Sequence, residues 1–247
     1  MLLKGKVAMI TGAKEGIGKA LAAEFAKEGA DLVLVSRSIE QDSDVVKEAE
    51  SFGRRVLAAK ADVANRQQVA EAVQAAIGEF GHIDALVNNA GLIRPAMLLK
   101  MKDEDWDMVI NVHLKGTFIC TQEVAKHMAE QKSGSIINTT SSAGLVGTVG
   151  QVNYSAAKGG IVAFSKSAAR ELARYNITVN VISPFAETGM SKTIATDPRF
   201  REKYIERIPM GRFGRADEMS PAVVFLASEG ARYITGQVLC IDGGMIM

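Results

Sequence analysis

Short apolar runs alternate with longer amphipathic stretches along the whole chain. The runs Val7–Thr11, Leu32–Val35, Val56–Ala61, Ala85–Asn88, Ser135–Thr140, Thr178–Ser183 and Val238–Ile241 have strand length, with too few polar positions for one face to meet water. Between them apolar residues recur at helical spacing. Ile17, Leu21 and Phe25 share one face of Gly16–Lys27, and Asp42–Phe52, Gln67–Phe80, Asn153–Tyr175 and Pro221–Ser228 are also read as helices. A long helical stretch runs from about Asp103 to Gln131, with a break expected near its first third. Strands that are apolar on both faces, each followed by a helix, predict an α/β protein with a seven-stranded parallel sheet covered on both sides. Right-handed crossovers favour a doubly wound sheet. The rhythm fails from roughly Phe185 to Asp217, and four of the five prolines lie between Pro184 and Pro221. Irregular chain past a strand's carboxyl end is where substrate loops sit. Residues 185–217 are therefore read as a substrate lid on a single domain spanning 1–247.

Composition narrows the function classes. Hydrophobic residues are 47% and charged residues 23% of 247, which allows a large core. Lys+Arg 29 against Asp+Glu 28 leaves a formal charge of +1, which argues against nucleic acid or an anionic membrane as partner. Cys120 and Cys240 form no CxxC pair, so a reducing compartment is expected. The start, Met-Leu-Leu-Lys-Gly-Lys, has no signal-peptide pattern, and no apolar stretch is long enough to span a bilayer; the cytoplasm is expected. His82, His113 and His127 lack metal-ligand spacing, so no metal is expected, and His113 is read as a packing residue. Trp106 is read as a packing anchor. Met97, Met101, Met190 and Met210 are candidates for a greasy pocket or for simple filler.

The first strand runs into Thr11-Gly12-Ala13-Lys14-Glu15-Gly16-Ile17-Gly18, which opens a helix. Gly12 permits a tight turn, Gly16 a close approach of backbone to a pyrophosphate, and Gly18 close helix–strand packing. Free N–H groups at the helix start, around Ile17, then face the phosphates. Three glycines alone would equally suit a plain turn; their place in the first βα unit points to a dinucleotide. The second strand ends at Val35-Ser36-Arg37, without the acid that usually accepts hydrogen bonds from an NAD ribose. Arg37 and Lys14 suit a 2′-phosphate, so NADP is the preferred cofactor and NAD the possible one.

Tyr154-Ser155-Ala156-Ala157-Lys158 puts a phenol and an ammonium on one helical face. A fixed cation lowers a phenol's pKa, so Tyr154 is expected to exchange a proton with a carbonyl oxygen as hydride moves. Ser141 follows a strand end and is placed to polarise that oxygen, with Ser142 as fallback. Alone, a YxxxK pair also fits an amphipathic surface, and a lone strand-end serine a cap. Together, Ser, Tyr and Lys in order on one strand–loop–helix unit are far more specific.

These residues resemble the short-chain dehydrogenase/reductase family over essentially the whole chain. The matching elements are Thr11-Gly12-xxx-Gly16-x-Gly18, Asp62-Val63, Asn88-Asn89-Ala90-Gly91, Asn111, Ser141, Tyr154-xxx-Lys158, Asn180 and Pro184. The resemblance implies a Rossmann-type sheet ordered 3-2-1-4-5-6-7 and a catalytic tetrad of Asn111, Ser141, Tyr154 and Lys158. It implies that Asp62 and Val63 contact the adenine, that Asn88, Ala90 and Gly91 lie along the ribose, and that Pro184 and Thr188 meet the nicotinamide. One departure stands out: Ser183-Pro184-Phe185-Ala186-Glu187-Thr188 has Phe where the family carries Gly, and is one residue shorter. The resemblance also implies a homotetramer. Within the family, Asn153–Lys158 and the ending Thr235-Gly236-Gln237…Asp242-Gly243-Gly244 are similar to members that reduce 3-oxoacyl-[acyl-carrier-protein] thioesters. Lys132, Arg174, Arg201, Lys203 and Arg207 are candidate contacts for that acidic carrier. Sugar, polyol and cyclic-alcohol dehydrogenases share the frame, so a small-molecule carbonyl or alcohol remains open as substrate. A catalytically silent nucleotide sensor is the alternative of another class.

Overall fold

Every residue of Val7–Thr11 (β1) is buried, because this strand lies inside a parallel sheet. The computed structural model describes residues 1–189 and 196–247. The other strands are Asp31–Ser36 (β2), Val56–Lys60 (β3), Ala85–Asn88 (β4), Gly134–Thr139 (β5), Ile177–Pro184 (β6) and Val238–Ile241 (β7). They form a seven-stranded sheet in the order β3-β2-β1-β4-β5-β6-β7, parallel throughout. Among the described residues the helices are Gly16–Lys27 (α1), Asp44–Glu50 (α2), Arg66–Phe80 (α3), Asp103–Ile110 (α4), Gly116–Gln131 (α5), Ser142–Val146 (α6), Val152–Leu172 (α7), Pro198–Ile205 (α8) and Ala216–Ala227 (α9). None of them is long and apolar enough to cross a membrane.

Adjacent residues of a strand point to opposite faces, so an unbroken apolar run feeds two cores at once. Met9 and Val33 join Val69, Ile119 and Val124 of α3 and α5. Ile10 and Leu32 join Leu21, Phe25 and Val223 of α1 and α9. The strand order reverses between β1 and β4, and the crevice beyond their carboxyl ends is where such sheets bind ligands.

Three local readings change. The stretch Asp103–Gln131 does not break: α4 passes through a π-helical turn, Asn111–Lys115, into α5. The last predicted helix starts more than a turn before Pro221, at Ala216, because Glu218 accepts a hydrogen bond from the Arg215 N–H at 2.8 Å and caps it there. The irregular region 185–217 contains the helix α8. Met190 falls outside the described residues.

Candidate active site

The loop between β1 and α1 is held from below by β4. Thr11 Oγ1 accepts from the N–H groups of Asn89 and Ala90 at 3.0 and 3.1 Å. Asn89 Nδ2 returns hydrogen bonds to the carbonyls of Thr11 and Gly12. Gly18 packs the helix onto this loop so closely that a Cβ there would lie 2.1 Å from the Gly12 oxygen. Gly16 has φ +58°, a conformation that favours glycine, and a Cβ built on it would stand in van der Waals contact with Thr188 at 3.7 Å. No side chain caps α1, and its first turn holds no acid. The N–H groups at this helix start are thus available to an anion. These features fit the pyrophosphate of a dinucleotide.

A cleft of about 560 Å³ begins at this loop, within the usual range for ligand sites. Gly12, Lys14, Gly16 and Ile17 form one end. Ser36 and Arg37 stand beside them at the end of β2, and Lys14 Nζ donates to the Ser38 carbonyl at 2.7 Å. Asp62 and Val63 follow from the end of β3, and Ala90 and Gly91 from the end of β4. Ser141, Tyr154, Lys158, Pro184 and Thr188 also line the cleft, with Thr188 lying over Gly16.

Tyr154 and Lys158 sit in the first turns of α7. Asn153 anchors this start: its Nδ2 donates to the carbonyls of Arg94 and Asp105 at 3.0 and 3.2 Å, and its Oδ1 accepts from the Tyr154 N–H at 2.8 Å. Lys158 is buried, donates from Nζ to the Thr139 carbonyl at 2.7 Å, and lies 5.5 Å from the centre of the Tyr154 ring. Ser141 caps α6, accepting from the Ala143 N–H at 3.3 Å, and its hydroxyl hydrogen-bonds the phenol. Ser142, also on the cleft wall, is the first residue of α6. Beneath the site, Asn88 of β4 donates to Asn138 of β5 at 2.8 Å, Asn138 donates to Ser165 of α7 at 2.8 Å, and Ser165 to the Ile161 carbonyl at 2.6 Å.

The structure places the remaining sequence-predicted groups as follows. Asn88 is buried behind the cleft, spending its amide on Thr121 and Asn138; Asn89 takes its place on the wall. Gly18 is behind the wall, in the helix–loop contact. Asn111 does not line the cleft, whereas His113, two residues on, does. The phenol pKa moves opposite to expectation: burial pushes Tyr154 up to about 12, only partly offset by the Ser141 hydrogen bond. Burial also pushes Lys158 down to about 7, so its ammonium is a weak source of compensating charge.

Met97, Met101 and Met210 do not line the cleft, while Trp106 is 38% exposed. Phe185 does line it, at the end of β6. Its ring stacks on Tyr204 of α8 (5.8 Å between centroids, 7° between planes) and on Phe213 (5.3 Å, 27°). This stack ties the carboxyl end of β6 to α8 and to Phe213. Tyr204 and His113 were not legible as wall residues, since each lies in a helix whose orientation the periodicity leaves open.

A glycine-lined anion site at the crest of a parallel sheet, leading to a buried lysine and a phenol, is the layout of a nicotinamide-dependent oxidoreductase. A family model described as enoyl-(acyl carrier protein) reductase matches residues 12–246, and the chain belongs to that family of short-chain dehydrogenases and reductases. It acts on ketone and CH–OH groups with a nicotinamide dinucleotide. Among curated proteins it is similar to the 3-oxoacyl-[acyl-carrier-protein] reductase of Thermotoga maritima, 46% identical over 248 residues and covering 100% of both chains. A second is the enzyme of the same name from Synechocystis, 43% identical over 99% of this chain and 98% of the other. Among solved structures, levodione reductase superposes with a TM-score of 0.93 at 35% identity, covering 98% of each chain.

Proposed function

We propose that the chain reduces 3-oxoacyl thioesters presented by an acyl carrier protein, preferring NADPH, with Tyr154 as the proton donor. The observation that carries this reading is the Ser141–Tyr154–Lys158 group lining the same cleft as the Gly12–Ile17 loop. When bound, the nicotinamide supplies the hydride that the carbonyl carbon accepts. The α1 start and Gly16 would hold its pyrophosphate, and Asp62 and Val63 its adenine. Pro184 and Thr188 would flank the nicotinamide end, with Ala90 and Gly91 along the ribose.

Ser141 would hydrogen-bond the substrate oxygen and withdraw charge from the carbon. As hydride adds and the C=O pair moves to oxygen, Tyr154 would give that oxygen its proton, leaving a secondary alcohol and a phenolate. A phenol whose own charged form is disfavoured keeps its proton until an alkoxide develops beside it. Lys158, with its pKa near 7, would return a proton to the phenol.

NADPH preference is supported by Lys14 of the β1–α1 loop, by Ser36 and Arg37 at the end of β2 and by the lack of an acid there. Preference for a carrier-bound thioester is supported by the names of the relatives and by exposed Lys132, Arg174, Lys203 and Arg207. A homotetramer is supported by exposed Trp106, Met108 and Phe118 on α4 and α5, and Leu239 on β7. A cytoplasmic location is supported by two unpaired cysteines. Absorbance assays of NADPH and NADH oxidation test the reading, using 3-oxoacyl thioesters on carrier protein, cyclic ketones and sugars. The carrier thioester with NADPH is expected to give the highest kcat/KM; a cyclic ketone or sugar ahead of it would overturn the substrate assignment.

A further inference from the structure

The Asp242-Gly243-Gly244 turn after β7 takes no part in the proton transfer described above, yet it is tied to the cleft wall from two sides. Asp242 is buried and folds the turn: its Oδ1 accepts from the Gly244 N–H at 3.0 Å and its Oδ2 from the Ile246 N–H at 3.1 Å. Gly243 has φ +66°, in the left-handed region. Its carbonyl accepts from the Met210 N–H at 3.2 Å. A Cβ built on Gly243 would come within 2.8 Å of Cγ2 of Ile208, which is buried. Glycine is what lets the segment Ile208–Met210 seat this closely on the turn. That segment continues from α8 without slack: the Arg207 N–H donates to the Tyr204 carbonyl at 3.1 Å, and the Ile208 N–H to the Ile205 carbonyl at 3.0 Å. α8 in turn carries Tyr204 to the cleft wall. On the other side, the Ile241 carbonyl, just before the turn, accepts from the Phe185 N–H at 3.0 Å. The end of β7 and its turn thus hold the backbones behind both rings of the Phe185–Tyr204 stack.

We propose that Asp242 and Gly243 are positioning residues for substrate binding, setting the stacked Phe185 and Tyr204 rings in the cleft wall. This rests on the proposed reduction of a thioester in this cleft. The two rings come from separate elements, one just past β6 and one on α8. Their parallel contact persists only while both backbones keep their places. The turn reaches the reaction through that wall alone, so disturbing it changes how substrate is held and leaves hydride and proton transfer as they were.

The test compares native protein with Gly243→Ala, Phe185→Ala, the double variant and Asp242→Asn in NADPH-dependent reduction of a 3-oxoacyl thioester. Gly243→Ala is expected to raise the thioester KM by about tenfold, with kcat within about threefold and the NADPH KM within about twofold of native. Both changes act on one wall, so the double variant is expected to exceed the worse single one by no more than about twofold. Asp242→Asn keeps one acceptor oxygen for the turn and is expected to raise KM by about threefold. It carries the same comparison if Gly243→Ala fails to fold. Unchanged KM in the turn variants, losses that multiply in the double variant, or equal losses in kcat and NADPH binding would overturn the assignment. The second readout needs no turnover: amide hydrogen exchange. The turn variants should exchange faster over residues 201–210 while β1 to β5 stay as in native protein. Native exchange over 201–210 would mean that the turn does not hold α8. If native protein reduces no carbonyl, the proposed function fails, while the exchange still decides whether the turn fixes α8.

Discussion

The ammonium nitrogen of Lys158 stands 5.5 Å from the centre of the Tyr154 ring and donates its hydrogen bond to the Thr139 carbonyl at 2.7 Å. Burial drives both groups towards their neutral forms, the phenol to a pKa of about 12 and the amine to about 7. For Lys158 the unfolded chain, with a pKa of 10.5, binds more protons than the folded one between about pH 7 and 10.5. Its contribution to stability therefore rises with pH across that window, and below it the full cost of a buried ammonium remains. Tyr154 has the opposite sign and lowers stability as pH rises from about 10 to about 12. Lys158→Met should therefore raise the urea midpoint most near about pH 6, with the gain shrinking towards about pH 9. A gain that stayed constant over that range would contradict the depressed amine.

Ser36 offers a direct handle on cofactor choice. A carboxylate at this position, beside Arg37 and Lys14, would repel a 2′-phosphate and accept from free ribose hydroxyls. Ser36→Asp is expected to weaken NADPH binding by at least about tenfold while changing NADH binding much less. Fluorescence titration of each cofactor measures both. Equal losses would remove the argument for NADPH.

The buried asparagines set how firmly α7 is seated. Asn138 accepts from Asn88 and donates to Ser165, each at 2.8 Å. Asn138→Ala leaves buried polar groups on both neighbours short of a partner, at about 1–3 kcal/mol for each group left unsatisfied. Urea unfolding should show a loss of about 2 kcal/mol or more. A loss below about 0.5 kcal/mol would mean the neighbours find other partners.

Much of this was legible beforehand because both faces of the sheet are dry. β1 is buried at all five positions, so its run of apolar residues had no solvent face to blur it, and the strand order is the one that the resemblance to the short-chain dehydrogenase/reductase family implied. The Gly12–Gly18 loop and the Tyr154–Lys158 pair were legible because each needs a fixed local spacing. What the sequence hid were orientations. Asn88 and Asn89 are adjacent polar residues, and only the register of β4 against β5 decides which faces the core. Asn111 and His113 are two apart in a helix, and no apolar periodicity announces the π turn that brings His113 to the wall. The rise in the Tyr154 pKa comes from its own desolvation, which spacing does not reveal.

Phe185 departs from the family pattern, and its stacking partners give it a purpose. Each stacked pair is worth about 0.5–1.5 kcal/mol, and Phe185 makes two of them, with Tyr204 and Phe213. If 185–217 is the substrate lid, Phe185→Ala should raise the thioester KM by about tenfold and leave NADPH affinity within about twofold. An unchanged KM would separate the stack from substrate binding.

The central claim is that the Tyr154 phenol delivers the proton. The most direct measurement pairs NADPH affinity with single-turnover reduction of a 3-oxoacyl thioester in Tyr154→Phe, which removes one oxygen and keeps the ring. The expected result is a rate reduced by at least about 100-fold with NADPH affinity within about threefold of native. A rate within about tenfold of native would contradict it.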